Sequence, residues 1–437
     1  MTFLLTPEVR RYVDREPCLP GVDPVRWPDI ASVPTARLRG LIARALVERA
    51  VHNLPLRIVQ PDGDTLGAGT SSDPLLRLHR PRDFFRRVGT SGLIGFGESY
   101  MAHDWDADDL TDVLTVFARR LSLLVPPTLQ RLRRAATLHQ PTSDRPVRGN
   151  ARRNIARHYD LSDDLFETFL DPTLTYSSAL FASTPDGRPI TENGTLNGTL
   201  KEAQHRKVDR LLEQTGVRPD SDVLEIGTGW GELALRAAAR GARVTSITLS
   251  EHQRKLALER AATAGLSDRI RIDLCDYRDV CGTYDVVLSV EMIEAVGYEY
   301  WPTYFQILDA CVRPGGRVGL QAITMPHDRM LATRDTFNWI QKYIFPGGFL
   351  PSMTAIEIAA DRTSLHIVDR RAFGSHYAET LRLWRAAFES DPARIERTGF
   401  DSVFRRMWSF YLAYSEAGFR SGYLDVQQVI FEKPEMR

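Results

Sequence analysis

VLEIGTGWGE, residues 223–232, reads as a buried strand running straight into a glycine turn. Val223, Leu224 and Ile226 form the apolar run of a central parallel strand, with Glu225 near its end. Gly227, Gly229 and Gly231 then alternate along the turn. Lacking Cβ atoms, they let the backbone pass close beneath a ligand before the helix in ELALRAAAR begins. A tight strand-to-helix turn can use glycine for packing alone, and this spacing is not the GxGxxG dinucleotide fingerprint with its later acid. The sequel strengthens the ligand reading. ARVTSITLS (242–250), DLCDY (273–277), YDVVLSVEM (284–292) and VRPGGRVGLQAIT (312–324) follow as further strands at the spacing of an α/β fold.

At 437 residues the chain is long enough for two domains, and its formal net charge of zero gives no electrostatic footprint for nucleic acid. Cysteines 18, 275, 281 and 311 show neither CxxC spacing nor a histidine partner, so neither a metal site nor a disulfide framework is expected. A reducing cytoplasm fits best. No early apolar run suits a signal peptide or a membrane span, so membrane contact is expected to be peripheral.

Residues 1–140 are expected to form a smaller α+β domain that touches lipid. Within it, Leu38, Leu41, Ile42, Ala45, Leu46 and Ala50 recur at helical spacing as a core face, and LPLRIVQPDGDTLGAG reads as a hairpin turning at Pro61, Asp62 and Gly63. Residues 141–153 read as a basic linker. Arg145, Arg148, Arg152, Arg153 and Arg157, together with Arg82, Arg86 and Arg87 beside Phe84 and Phe85, are the expected contacts with an anionic lipid surface; a solvated linker and helix face is the plainer alternative. Residues 154–437 are expected to be one catalytic domain.

The succession of strands after the glycine turn resembles that of class I methyltransferases, which implies a Rossmann-like, seven-stranded, mostly parallel sheet and S-adenosylmethionine as cofactor. NIARHYDLSDDLFETFLDPTLTYSSALF (154–181) resembles the entry segment of the cyclopropane-fatty-acid synthase and mycolic-acid methyltransferase family. Further matches follow in register: ITLSEHQ, SVEMIEAVGYEYWPTYF, WIQKYIFPGGFLPS, HYAETLRLW and MWSFYLAYSEAGFRSGYLDVQQVIF. GFGESYMAHDW, DLCDYRDV and QAITMPHDRMLATR look most like the actinobacterial branch that makes tuberculostearic acid. The resemblance implies methylation of oleoyl chains in phospholipids to 10-methylenestearoyl chains, with a separate partner enzyme as reductase and a homodimer formed through the N-terminal domain.

For the cofactor, the resemblance implies that Tyr176 and Ser177 meet the methionine moiety and that Gly227, Gly229 and Gly231 lie beneath it. Thr248, Ser250 and Gln253 would meet the ribose, and Asp276 and Tyr277 the adenine. A helix cap at Ser250 is an equally simple reading of TLSEHQ. For catalysis, it implies a bicarbonate ion caged by Glu294, Ile323 and Tyr377, with two departures: Ser178 stands where the family has cysteine and Gln321 where cyclopropane synthases have histidine. Glutamine carries no proton and no positive charge. That favours a hydride shift before proton loss, hence a methylene branch over a cyclopropane ring.

Chemistry independent of any name leads the same way. An alkene attacking an electrophilic methyl leaves a carbocation, which calls for a dry channel, aromatic faces and a placed base. The C-terminal half is rich in aromatics: Trp301, Tyr304, Phe305, Trp339, Tyr343, Phe345, Phe349, Tyr377, Trp384, Trp408, Phe410, Tyr411, Tyr414 and Phe419. Phe345-Pro-Gly-Gly-Phe349 reads as a channel wall or lid. Two other readings stand beside this one, a small-molecule N-methyltransferase and a non-catalytic lipid-binding subunit.

Overall fold

The computed structural model describes residues 15–17, 21–120, 163–192 and 195–435. The linker 141–153, with Arg145, Arg148, Arg152, Arg153 and Arg157, lies outside the described residues. The chain divides into two compact units. One comprises residues 1–142, 335–344 and 388–421; the other comprises 143–334, 345–387 and 422–437.

The larger unit is built on a seven-stranded sheet. Its strands are β1 (Asp222–Ile226), β2 (Arg243–Thr248), β3 (Ile270–Leu274), β4 (Tyr284–Val290), β5 (Val312–Thr324), β6 (His366–Ala372) and β7 (Asp425–Glu432). They lie in the order 3-2-1-4-5-7-6. β1 to β5 run parallel, and β7 pairs antiparallel with both β5 and β6. β1 is buried along nearly its whole length, as its Val-Leu-Ile content requires of a central strand covered on both faces. One face carries Trp301, Tyr304, Phe305 and Leu308 of the helix Trp301–Cys311, and the other carries Val208, Leu211 and Leu212 of the helix Leu200–Gln214. Trp301, Tyr304 and Phe305 are therefore sheet core, not channel lining. That helix–sheet packing satisfies their apolar surface.

The smaller unit has a four-stranded sheet, with the expected hairpin between Arg57–Val59 and Thr65–Leu66. Two sequence expectations fail here. The helix Arg37–Val51 forms, but its buried face consists of Gly40, Ala43 and Val51. Leu38, Leu41, Ile42 and Leu46 point outward at 71%, 65%, 52% and 48% exposure. The reason is close packing against the helix Pro81–Ser91: a Cβ on Gly89 would lie 2.4 Å from the Arg39 carbonyl oxygen and 3.2 Å from the Ala43 Cβ. Only small residues fit that crossing. The second failure is the FFRR segment. Phe84, Phe85, Arg86 and Arg87 are all buried. Arg87 Nε donates to Asp104 at 3.1 Å and its Nη2 to the Ile30 carbonyl at 2.8 Å, so this cation serves the interior, while Arg82 of the same segment is exposed.

The catalytic half is also not one contiguous domain. The helix Ser402–Arg420 packs with the helices Leu93–Met101 and Leu110–Arg119 of the smaller unit. Arg406 anchors it by donating to the Tyr100 carbonyl (2.6 Å), the Trp105 carbonyl (3.1 Å) and Asp106 (2.7 Å). Residues 335–344 belong there too, with Trp339 lying against Gly97, where a Cβ would sit 2.4 Å from the indole ring. Trp339, Tyr343, Trp408, Phe410, Tyr411, Tyr414 and Phe419 thus belong to the smaller unit.

Candidate active site

The glycine turn sits where the strand order reverses, with β1 flanked by β2 on one side and β4 on the other. This switch point leaves a crevice at the carboxyl ends of the strands. Gly227, Gly229 and Gly231 all adopt positive φ, at 98°, 52° and 91°. A Cβ on Gly229 would meet nothing of the protein within 4 Å, so the turn faces open space. Thr228 is braced from beneath: its hydroxyl meets that of Ser246 at 2.7 Å, and Ser246 donates to Glu225 at 2.5 Å. Glu225 thus points its carboxyl across to β2 and supports the turn from within. Burial lifts its pKa to about 8, against the Ser246 hydroxyl and the Lys207 charge.

Around the crevice, Ser250 caps the helix Glu251–Thr263 by accepting from the Gln253 N–H. Thr248 donates to Gln253 Oε1 at 3.0 Å, which leaves the Nε2 hydrogens of Gln253 for a ligand hydroxyl. The cap reading of TLSEHQ therefore holds. Asp276 is gripped by Arg278 through Nε (2.8 Å) and Nη2 (2.5 Å), while Tyr277 packs edge-on to Tyr304. Tyr176 lies among Phe166, Phe169 and Trp384, with ring centroids 5.2 to 6.2 Å away. The Ser177 hydroxyl accepts from Lys207 Nζ at 2.6 Å. Phe169 also lines a pocket of about 500 Å³ with Leu170, Leu196, Leu200 and Leu383.

The expected anion cage does come together, but around a residue that sequence reasoning missed. Glu291 Oε1 accepts from the Ser178 backbone N–H (2.9 Å) and from Gln321 Nε2 (2.8 Å), and Oε2 accepts from the Tyr377 hydroxyl (2.7 Å). The fourth donor, the Ile323 N–H, goes to Glu294 Oε1 at 2.6 Å. Gln321 is held in its donating orientation because its own Oε1 accepts from Gln428 Nε2 at 3.1 Å, and Gln428 Oε1 accepts from Arg210 at 2.9 Å. Glu294 is fixed further by the PGG loop, whose Phe349 N–H donates to the Glu294 carbonyl at 2.8 Å. Its Oε2 is buried with no donor in reach among the described residues. Burial, then the Glu291 charge, pushes the Glu294 pKa up to about 8.

Bicarbonate does not fit this site. Ser178 N, Gln321, Tyr377 and Ile323 N all donate to the chain's own carboxylates, which already occupy the place an added anion would take. Lys207 was the second residue missed. It is buried, and burial draws its pKa down to about 8 despite Glu291, Asp171, Glu232 and Glu225 nearby. One signal was present: Ala203, Lys207 and Leu211 share a helix face at a spacing of four, so the lysine falls in the buried stripe.

A sheet in the order 3-2-1-4-5-7-6 with an open glycine turn at its switch point defines a class I S-adenosylmethionine-dependent methyltransferase. The family model described as mycolic acid cyclopropane synthetase matches residues 148–429, and the chain belongs to that family. It is 55% identical, over 93% of its length and 95% of the relative's, to the tuberculostearic acid methyltransferase UfaA1 of Mycobacterium tuberculosis. It is 32% identical to the cyclopropane-fatty-acyl-phospholipid synthase of Escherichia coli, over 82% of this chain and 87% of that one. Among solved structures it resembles mycolic acid cyclopropane synthase CmaA1 complexed with SAH and CTAB. That likeness has a TM-score of 0.57 at 29% identity, covering 67% of this chain and 99% of that one. A coclaurine N-methyltransferase reaches the same TM-score at 20% identity, which shows the shared fold alone.

Proposed function

We propose that this enzyme methylates the cis double bond of oleoyl chains in phospholipids to give 10-methylene-branched chains, the precursor of tuberculostearic acid. The observation that carries this reading is the 55% identity, along nearly the whole of both chains, to a tuberculostearic acid methyltransferase. The same comparison weighs against the N-methyltransferase and non-catalytic readings.

S-adenosylmethionine, when bound, supplies an electrophilic methyl. Gly227, Gly229 and Gly231 would lie beneath it, Tyr176 and Ser177 beside its methionine part, Thr248, Ser250 and Gln253 at the ribose, and Asp276 and Tyr277 at the adenine. The acyl chain becomes cationic on accepting the methyl, and the faces of Tyr176 and Tyr377, backed by the buried Trp384, would stabilise that charge while excluding water. Gln321 donates to a carboxylate and is itself neither acid nor base, which favours a hydride shift before the new methyl loses a proton.

The test is incubation with oleoyl phospholipid vesicles and labelled cofactor, with no reductase present. Label should enter the acyl chains. Methylene and cyclopropane products have equal mass, so catalytic hydrogenation decides between them: the methylene product takes up hydrogen. A ring-containing product that resists it would replace the methylene reading with cyclopropane synthesis.

Access to such chains needs contact with a bilayer, and no described helix is long and apolar enough to cross a membrane. The outward stripe of Leu38, Leu41, Ile42 and Leu46, flanked by exposed Arg37, Arg39, Arg44 and Arg49, suits the anionic inner face of a membrane. Leu38→Ser with Leu41→Ser should weaken cosedimentation with phosphatidylglycerol vesicles by about 10-fold or more. Unchanged lipid binding with loss of a dimer would instead assign the stripe to a second copy of the chain.

A further inference from the structure

We infer that Glu291 is the base of the reaction, a carboxylate built into the chain at the position where the family resemblance places a bicarbonate ion. The inference rests on the alkene-methylation reading above and adds the group that completes it.

Four features of the site converge on Glu291. Its two oxygens receive three donors that come from distant parts of the chain: the Ser178 N–H, the Gln321 amide and the Tyr377 hydroxyl. A carboxylate offers about four lone-pair positions. Oε1 is filled by two donors and Oε2 by one, so a single position on Oε2 stays available for a proton. The backbone supplies the second feature: Glu291 has φ of 50°, a left-handed conformation uncommon for a side-chain-bearing residue, and its N–H is clamped to the Gln321 carbonyl at 2.8 Å. Such conformations persist where the surroundings over-determine them, and they cluster at functional sites.

Location is the third. Glu291 directly follows β4, whose Ser289 is in register with Ile226 at the end of β1. The next residue, Met292, lies 3.5 Å from where a Cβ on Gly227 would sit, so the carboxylate's own segment abuts the cofactor turn. The fourth feature is the contrast with Glu294. That group takes the Ile323 N–H on one oxygen and leaves the other buried without a donor among the described residues, so nothing holds a carboxylate charge there as the three donors hold it on Glu291. Burial raises the Glu291 pKa as well, while the Ser178 N–H, the Tyr377 hydroxyl, the Lys207 charge and the Gln321 amide oppose it. Burial thus makes the carboxylate more basic than one in water, while those donors and the Lys207 charge favour its ionised form, the combination that general-base catalysis calls for.

The step balances without a co-reactant. Once a 1,2-hydride shift has moved the cation onto the methyl-bearing carbon, a C–H bond of the transferred methyl breaks, its electron pair forms the C=C bond to that carbon and neutralises the cation, and the proton passes to Glu291 Oε2. Ser178 N–H, Gln321 and Tyr377 are positioning groups in this scheme. Gln428 and Arg210 set the orientation of Gln321.

The experiment uses the full-length enzyme, oleoyl phospholipid vesicles and labelled S-adenosylmethionine in buffer stripped of carbon dioxide. Wild type should turn over equally with and without added bicarbonate. Glu291→Gln should lower turnover by at least about 100-fold, with the cofactor dissociation constant unchanged. Glu291→Gly, which relieves the positive φ and leaves the three donors free, should be inactive alone and regain activity on addition of bicarbonate. Two results would overturn the inference: Glu291→Gln within about threefold of wild type, or a wild type that stops when bicarbonate is removed. A wild type that labels no acyl chain at all would fail the parent reading instead, so the two failures are separable.

Discussion

Gly229→Ala leaves the protein folded and abolishes tight binding of S-adenosylmethionine. The added methyl meets no protein atom within 4 Å, and the φ of 52° costs an alanine only about 1–2 kcal/mol. The space it would enter is the open side of the turn, where a ligand's carboxylate and sulfonium must approach the backbone. Calorimetric titration should show affinity falling by about 100-fold or more, with methyl transfer lost in parallel, since a lost close approach and its hydrogen bonds exceed ~2.7 kcal/mol. Gly231→Val is the contrasting variant. Its Cβ would stand 2.9 Å from the Ala257 Cβ at a φ of 91°, so it should lower the melting temperature as well as affinity. Normal cofactor binding by Gly229→Ala would remove the turn from the site.

Glu98→Ala should be the most destabilising single change in the smaller unit. Lys342 Nζ pairs there with both Glu98 and Asp29, the latter at 2.8 Å, and the Tyr343 hydroxyl donates to Glu98 at 2.9 Å. Glu98 is nearly fully buried, and its charge, with Asp29, holds the Lys342 pKa well above the ordinary lysine value against the opposing effect of burial. Truncating one partner of such a pair strands the other without compensation and costs about 3–5 kcal/mol. A drop in melting temperature of about 10 °C is expected for a unit of this size. The double variant Glu98→Leu with Lys342→Met should recover much of it, because replacing a whole buried ion pair by apolar groups is close to neutral. A melting temperature for Glu98→Ala within a degree or two of wild type would show that the pair contributes little.

What could be read in advance follows the range of the interactions involved. The glycine turn, the strands around it and the cap at Ser250 are local, so spacing alone located them. The Gly-Ala face of the helix Arg37–Val51 is a different case. Periodicity identified a helix, but which side turned inward depended on Gly89 and Ala43 meeting across a crossing, and that reversed the apolar stripe. FFRR failed for a related reason: Asp104 and the Ile30 carbonyl, distant in sequence, consumed the arginine at position 87. In SVEMIEAVG two acids lie three residues apart, and the resemblance pointed to the second alone. Nothing local distinguishes Glu291 as the one whose backbone turns left-handed to place its carboxylate among three donors.

By itself, the sequence determined an α/β fold with a glycine turn at 227–231, because strand period, glycine spacing and helix caps are written into a few consecutive residues, and its motifs resembled those of a methyltransferase family. The tertiary structure alone decided the make-up of the cage and the membership of the two units. Ser178, Glu291, Gln321 and Tyr377 are separated by up to about two hundred residues and meet only when the sheet closes, and residues 335–344 and 388–421 find their burial against the N-terminal helices, not within the half of the chain that encodes them. Desolvation is the physical reason: a buried carboxylate or an apolar helix face is stable only where partners complete it, and those partners are chosen by the fold and not by neighbours in the chain.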